Sequence, residues 1–296
     1  MRITDNIKFS DMKFNVQRNM RRYFSANEKL ISGKNLQRPS DDPAAMKELL
    51  GLRTYGARLD QYSDNINKAS HALKTYDLLI ERATELLAKA KTIAISDTKA
   101  LNDDMRQVAA VQVSGILEEM LSVANTKADG RYLFSGFKAY TRPFDPTDPA
   151  FTYSGDNGSL AVAVDENRKV PVNFTGDELF KGAGGGVDIL SELSAFKTAL
   201  ETDDVAAISS AIATFDAARD QLVNGAATIG VRLSELNDKS EGMKNFKNNV
   251  LSRISEIEDV DLAEAVMEMR QMQNAYEASL NASASFMQNS LMDFLS

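Results

Sequence analysis

The sequence predicts a mainly α fold: an elongated antiparallel helical rod, a coiled-coil bundle formed by the N- and C-terminal parts of the chain, with a small β-rich domain inserted between them. Three observations carry this. An apolar heptad runs without a slip from Leu52 to Ala94, a second runs from Val205 to Ile257, and most of the prolines fall between Gly130 and Phe180. A seam with a 3.5-residue period keeps one face of a supercoiled helix on a partner.

The elements follow in chain order. Residues 1–40 are amphipathic and lead to Ser40, Asp41, Asp42 and Pro43, a helix-start signature. An Asp at the cap accepts a bond from an orphan N–H, and a Pro at the first helical position has no N–H to leave unpaired. The first heptad steps through Leu52, Tyr55, Leu59, Tyr62 and Ile66 and onward to Ala94, every position apolar or aromatic. At ~1.5 Å per residue this seam spans roughly 65 Å, too long for a compact core. A shorter helix fits residues 103–127, with Met105, Ala109, Val113, Ile116, Met120 and Val123 inward.

In the insertion, Ala150–Tyr153, Ser159–Val164 and Val170–Phe174 group β-formers between turn signals such as Asp156-Asn157-Gly158. The run Gly182–Gly186 links it to a helix near Val187–Leu200. The second heptad departs from apolar residues only at Arg219, Ser240 and Lys247. Gly225 and Gly230 lower its helix propensity by ~1 kcal/mol each and predict bending there. Its natural partner is the first heptad helix, lying antiparallel. Beyond Ile257 the same step lands on Asp261 and Glu264, which have capping-box spacing. A new stripe then runs through Leu262, Val266, Met269, Tyr276, Leu280, Met287, Leu291 and Phe294. The expected organisation is therefore terminal helical segments at 1–40 and 261–296, a rod domain at 41–135 and 187–260, and the inserted domain at 136–186.

Composition narrows the function. The 296 residues include 43% hydrophobic and 26% charged side chains, enough for a core and roughly two domains. There is no cysteine and a single histidine, His71, so no catalytic constellation, metal site or cofactor is expected. The glycine run lacks the Lys-Ser/Thr of a phosphate loop. A net charge of −8 argues against a nucleic-acid partner. No stretch of 18 apolar residues and no signal-peptide h-region are present, so neither membrane insertion nor a cleaved-signal route is expected. Charge is divided between the ends. Residues 1–40 hold nine basic against three acidic side chains, net +6, and residues 256–296 hold one against eight, net −7.

Leu30–Ala45 resembles the N-terminal signature of the bacterial flagellin superfamily, and Ile257–Ala265 its C-terminal counterpart. Arg38–Pro43, Gly130–Gly136 and Asn289–Leu295 are similar to the junction proteins between hook and filament rather than to the filament subunit. The resemblance implies a structural subunit, not an enzyme, exported unfolded through the flagellar type III channel and located outside the cell at the hook–filament junction. It implies paired terminal helices, and a ring-like layer of the protein itself between hook-associated protein 1 and flagellin. An export chaperone is expected on the C-terminal helix. Leu262, Val266, Met269, Tyr276, Leu280, Met287, Leu291 and Phe294 are the expected assembly stripe. A short flagellin is the alternative within the family, and a helical adhesin or tip protein the alternative outside it.

Overall fold

The computed structural model describes residues 2–97 and 103–295, with side chains described at 7, 9–97 and 104–285. Helices dominate it: α1 (Arg2–Ser32), α2 (Pro43–Asp97), α3 (Asp103–Ala124), α4 (Gly176–Leu179), α5 (Ile189–Glu201), α6 (Val205–Glu258) and α7 (Leu262–Leu295). The strands of the described residues form two small antiparallel sheets, β1 (Lys127–Ala128) with β2 (Arg131–Tyr132), and β3 (Ala161–Ala163) with β4 (Lys169–Pro171). The chain forms a terminal unit, Met1–Leu59 with Asn245–Ser296, and a central unit, Asp60–Lys244.

In the central unit α2 and α6 run antiparallel. Ile80 lies beside Gly225, and further along Lys91 pairs with Asp216 at 2.5 Å. The α2 seam from Ile66 through Leu73, Ile80 and Leu87 to Ala94 is buried. On α6, Ile208, Phe215, Leu222, Ile229 and Leu236 hold one seam position as the heptad predicts. The other position differs from the expectation. Ala211, Ala218 and Gly225 are buried, while Ile212 and Ala226 are only half-buried and Arg219 is exposed. The small residues let neighbours approach. A Cβ on Gly225 would sit 2.8 Å from Leu179 of α4. α6 runs unbroken through Gly225 and Gly230, because burial on both sides outweighs ~1 kcal/mol of propensity per glycine.

α3 packs on α5. Ala109, Val113, Ile116, Met120 and Val123 are buried as expected, but Met105 is 54% exposed. Arg106 takes the inward place in that first turn, paired with Asp97 at 3.4 Å and with Asp203. A two-residue turn at Asp129-Gly130, both at positive φ, closes the β1–β2 hairpin. In the insertion β3 and β4 pair with Val162 opposite Val170. Ala150–Tyr153 forms no strand and makes only a bridge between Tyr153 and Phe144. Asp148 bends the chain there by accepting the N–H groups of Ala150 and Thr152, with Phe151 at φ 45°. What holds this region is an aromatic core. Phe134 meets Tyr76 of α2 and Phe180 edge-on at 5.3 and 5.1 Å, and Phe144 packs on Phe180. The Tyr76 hydroxyl donates to the Leu133 carbonyl at 2.6 Å.

In the terminal unit the start of α2 and the end of α6 are again antiparallel, with Glu48 against Arg253 and Gly56 against Val250. Gly56, not Tyr55, faces the partner helix, and Tyr55 is exposed. Leu36, Met46 and Leu49 pack with Ala45, Ile254 and Ile257.

Candidate assembly interface

α1 and α7 pack on each other. The inner positions of α1 are Met12, Val16, Asn19, Tyr23, Ala26 and Leu30, and those of α7 are Ala265, Met269, Met272, Tyr276, Ser279 and Ser283. Both sets step by four and three, so each helix presents a 3.5-residue seam. Tyr23 stacks on Tyr276 at 6.3 Å with rings 3° apart. Asn19 donates to the Ala275 carbonyl at 3.4 Å, and Lys29 lies 4.0 Å from Glu268.

This seam is thin. Of its described side chains only those of Ala26 and Ala265 are buried. Many bulky apolar groups point outward: Ile7, Phe9, Phe14, Met20, Phe24 and Ile31 on α1, and Leu262, Met267 and Leu280 on α7, are all exposed. Covering one such side chain is worth about 1.5–3 kcal/mol, so an uncovered row of them is a surface suited to a partner.

The sequence-predicted residues divide between the two faces. Val266, Met269 and Tyr276 are half-buried, whereas Leu262 is 59% and Leu280 42% exposed. The side chains of Met287, Leu291 and Phe294 lie outside the described ones. The outward aromatics of α1 were not singled out in the sequence, although Ile7 with Phe14 and Phe24 with Ile31 are each seven residues apart.

Between these helices and the rest of the unit lies a joint. α1 ends at Gly33, whose φ of +69° is the left-handed conformation that favours glycine. The next residues pair with the end of α6. Asn35 N–H donates to the Glu258 carbonyl at 2.7 Å, and Val260 N–H donates to the Gly33 carbonyl at 3.0 Å. The Glu258 carboxylate is buried, 2.5 Å from Lys34 Nζ and 2.7 and 2.8 Å from one Arg53 nitrogen. Burial pushes this carboxyl up, but the hydrogen bonds and charges of Lys34 and Arg53 outweigh it and hold it below the usual carboxylate range.

The helix-start residues close the other side of the joint. Asp41 Oδ2 accepts from the N–H groups of Arg38 and Gln37, chiefly that of Arg38, which lowers its pKa. Ser40 lies in the turn that follows Arg38. Asp42 Oδ1 accepts from Ala44 and Ala45 N–H, capping α2 at Pro43. Asp261 does the same for α7 through Ala263 and Glu264. Among the described residues no helix is long and apolar enough to cross a membrane, and no group of acidic, His or Cys side chains is placed to hold a metal ion.

Both segments that meet at this joint, and both helices of the pair, fall within regions that match known families. Residues 3–139 match the bacterial flagellin N-terminal helical region, and residues 212–295 match the bacterial flagellin C-terminal helical region. The chain belongs to the bacterial flagellin family. Among its flagellin-family relatives, flagellar hook-associated protein 3 of Escherichia coli K12 is 26% identical over 96% of this chain and 91% of that protein. Flagellin of Listeria monocytogenes is 22% identical over 95% of this chain and 94% of that protein. The fold is shared with the crystal structure of the flagellar junction protein from Legionella pneumophila, with a TM-score of 0.61 at 16% identity, over 72% of this chain and 100% of that one.

Proposed function

We propose that this flagellin-family chain is a structural subunit of the bacterial flagellum that forms the junction between hook and filament. The observation that carries the reading is the α1–α7 pair, which fully covers only two alanines among its described side chains and leaves a row of large apolar ones outside. Such a pair is completed by stacking against the same pair of neighbouring subunits. Residues 1–40 and 261–296 are then the assembly segments, 41–135 and 187–260 the rod, and 136–186 the inserted domain. The partners are hook-associated protein 1 on one side, flagellin on the other, and further copies of this chain in a ring-like layer. The subunit acts outside the cell, reached by the type III route, with an export chaperone on α7 beforehand. Its work is mechanical, with no catalytic step.

Leu262, Val266, Met269, Tyr276, Leu280, Met287, Leu291 and Phe294 make up the assembly stripe on α7. Removing residues 287–296 is expected to leave the rod folded and to abolish assembly. Filament growth at the normal level in that truncation would end the role of the stripe.

A second reading, a short flagellin, is favoured by similarity to a flagellin over nearly the whole chain. Gene deletion separates the two. Hooks without filaments, with unpolymerised flagellin in the medium, identify a junction protein. Hooks with no major flagellin anywhere identify the filament subunit itself. Normal filaments would overturn both.

A further inference from the structure

Within the terminal unit, the direction in which α1 and α7 leave α2 and α6 is set within a few residues. Lys34 and Asn35 follow α1, Glu258 ends α6, and α7 begins four residues later at Leu262. Two backbone hydrogen bonds join these segments to each other, and the ion cluster of Lys34, Arg53 and Glu258 ties them to α2 through Arg53. The thin α1–α7 seam gives this geometry little help, since its buried side chains are alanines.

An ion cluster is an expensive way to gain stability. Desolvating a carboxylate costs several kcal/mol, and well-packed apolar replacements of a buried ion pair are often as stable. What the cluster supplies, and an apolar trio lacks, is direction: the Glu258 carboxylate joins a cation just after α1 to a cation on α2 while its own backbone ends α6. We propose that Glu258, held between Lys34 and Arg53, is a positioning residue for assembly. It fixes the angle at which the terminal pair leaves α2 and α6, so that the outward row of Phe14, Phe24, Ile31, Leu262 and Leu280 meets the next subunit in register. This rests on the junction reading above.

Three variants of the full chain test it in the source bacterium and as purified protein. Lys34→Met with Arg53→Met and Glu258→Leu removes the charges together. Glu258→Gln keeps the shape, and Lys34→Arg keeps the cation. The triple variant is expected to unfold at a temperature close to that of the native chain, yet filament-bearing cells counted by electron microscopy fall by about tenfold or more. Glu258→Gln shows the same loss, with faster protease cleavage at residues 33–42 and 258–262, and Lys34→Arg assembles normally. Native-level assembly of the triple variant overturns the proposal. If the triple variant does not fold, native-level assembly of Glu258→Gln overturns it instead. If the deletion strain keeps its filaments, the junction reading falls separately. Native-like cleavage of purified Glu258→Gln then overturns the positioning role.

Discussion

The central unit and the α1–α7 pair cover their inward faces to different degrees. The central unit encloses Leu73, Leu87, Phe134, Phe180, Phe215 and Leu222 almost completely. The α1–α7 pair encloses alanines and leaves Phe9, Phe14, Phe24, Ile31 and Leu262 in solvent. Both rest on 3.5-residue seams, so periodicity does not separate them. The difference lies in how completely the inward face is covered: the large inward residues of the pair, such as Tyr23, Leu30, Met269 and Tyr276, are only half-buried. A seam enclosed by further elements builds a core within one chain, whereas a seam between two helices alone stays half-open and leaves large residues displayed to a neighbour.

The largest expected effect tests this contrast directly. Phe134→Ala removes a ring in contact with Tyr76 and Phe180. It should cost about 3–5 kcal/mol in denaturant unfolding of the purified chain. Leu262→Ser with Leu280→Ser removes comparable apolar surface from α7, yet should change monomer stability by less than about 0.5 kcal/mol per site, while filament growth falls. If the α7 pair cost as much as Phe134 in the monomer, the two regions would not differ in the way their burial implies.

Next in size is the joint. Glu258 has a lower pKa in the fold than its ordinary value of 4.5, so the unfolded chain binds its proton more readily. Its contribution is present above about pH 4.5 and is lost as the pH falls through the folded value. Because Lys34 and Arg53 are half-exposed, the loss should be about 1–2 kcal/mol. Unfolding of the native chain and of Glu258→Gln, followed from pH 7 to pH 3, checks it: the gap between the two curves should close on acidification. A constant gap would mean that Glu258 acts through packing rather than charge.

The long helices and most of both heptads were legible because period and caps are local, whereas the one-turn helix α4 inside the expected β-rich insertion was not. Asp42 before Pro43 and Asp261 before Leu262 mark helix starts by chemistry contained in a few residues. One seam position of α6 was legible for the same reason. The other was not, because the choice of Ala211 and Ala218 over Ile212 and Arg219 depends on what packs opposite, including Leu179 near Gly225. Met105 was misplaced because the pattern could not show that Arg106 would turn inward to meet Asp97 and Asp203. The bend at Phe151 depends on one carboxylate finding two N–H groups. The joint at Glu258 joins residues more than two hundred positions apart, beyond the reach of any local pattern.

A smaller test compares two glycines of α6. A Cβ at position 230 meets nothing within 4 Å, so Gly230→Ala should stabilise the helix by about 0.5–1 kcal/mol. At position 225 the new methyl must displace the Leu179 side chain, and the gain should shrink or reverse. Equal gains at both positions, read from unfolding midpoints, would show that Leu179 does not need the space.

The smallest effect concerns the opposite charges of the two chain ends, +6 and −7. These suggest that α1 and α7 are drawn together by charge, but among the described residues the ion pair between them, Lys29 with Glu268, is long at 4.0 Å and partly exposed on both sides. Exposed pairs of that kind contribute about 0–1 kcal/mol and are screened by salt. Lys29→Met should therefore shift stability by less than about 0.5 kcal/mol. Tyr276→Ala, which removes the ring stacked on Tyr23, should cost roughly 1 kcal/mol through the lost aromatic contact. Hydrogen exchange of α1 amides, measured at low and at high salt, ranks the two. If Lys29→Met released α1 more than Tyr276→Ala did, and only at low salt, the ends would be held by their charges. The ring contact and the alanines at positions 26 and 265 would then serve as spacers rather than as the grip between the two helices.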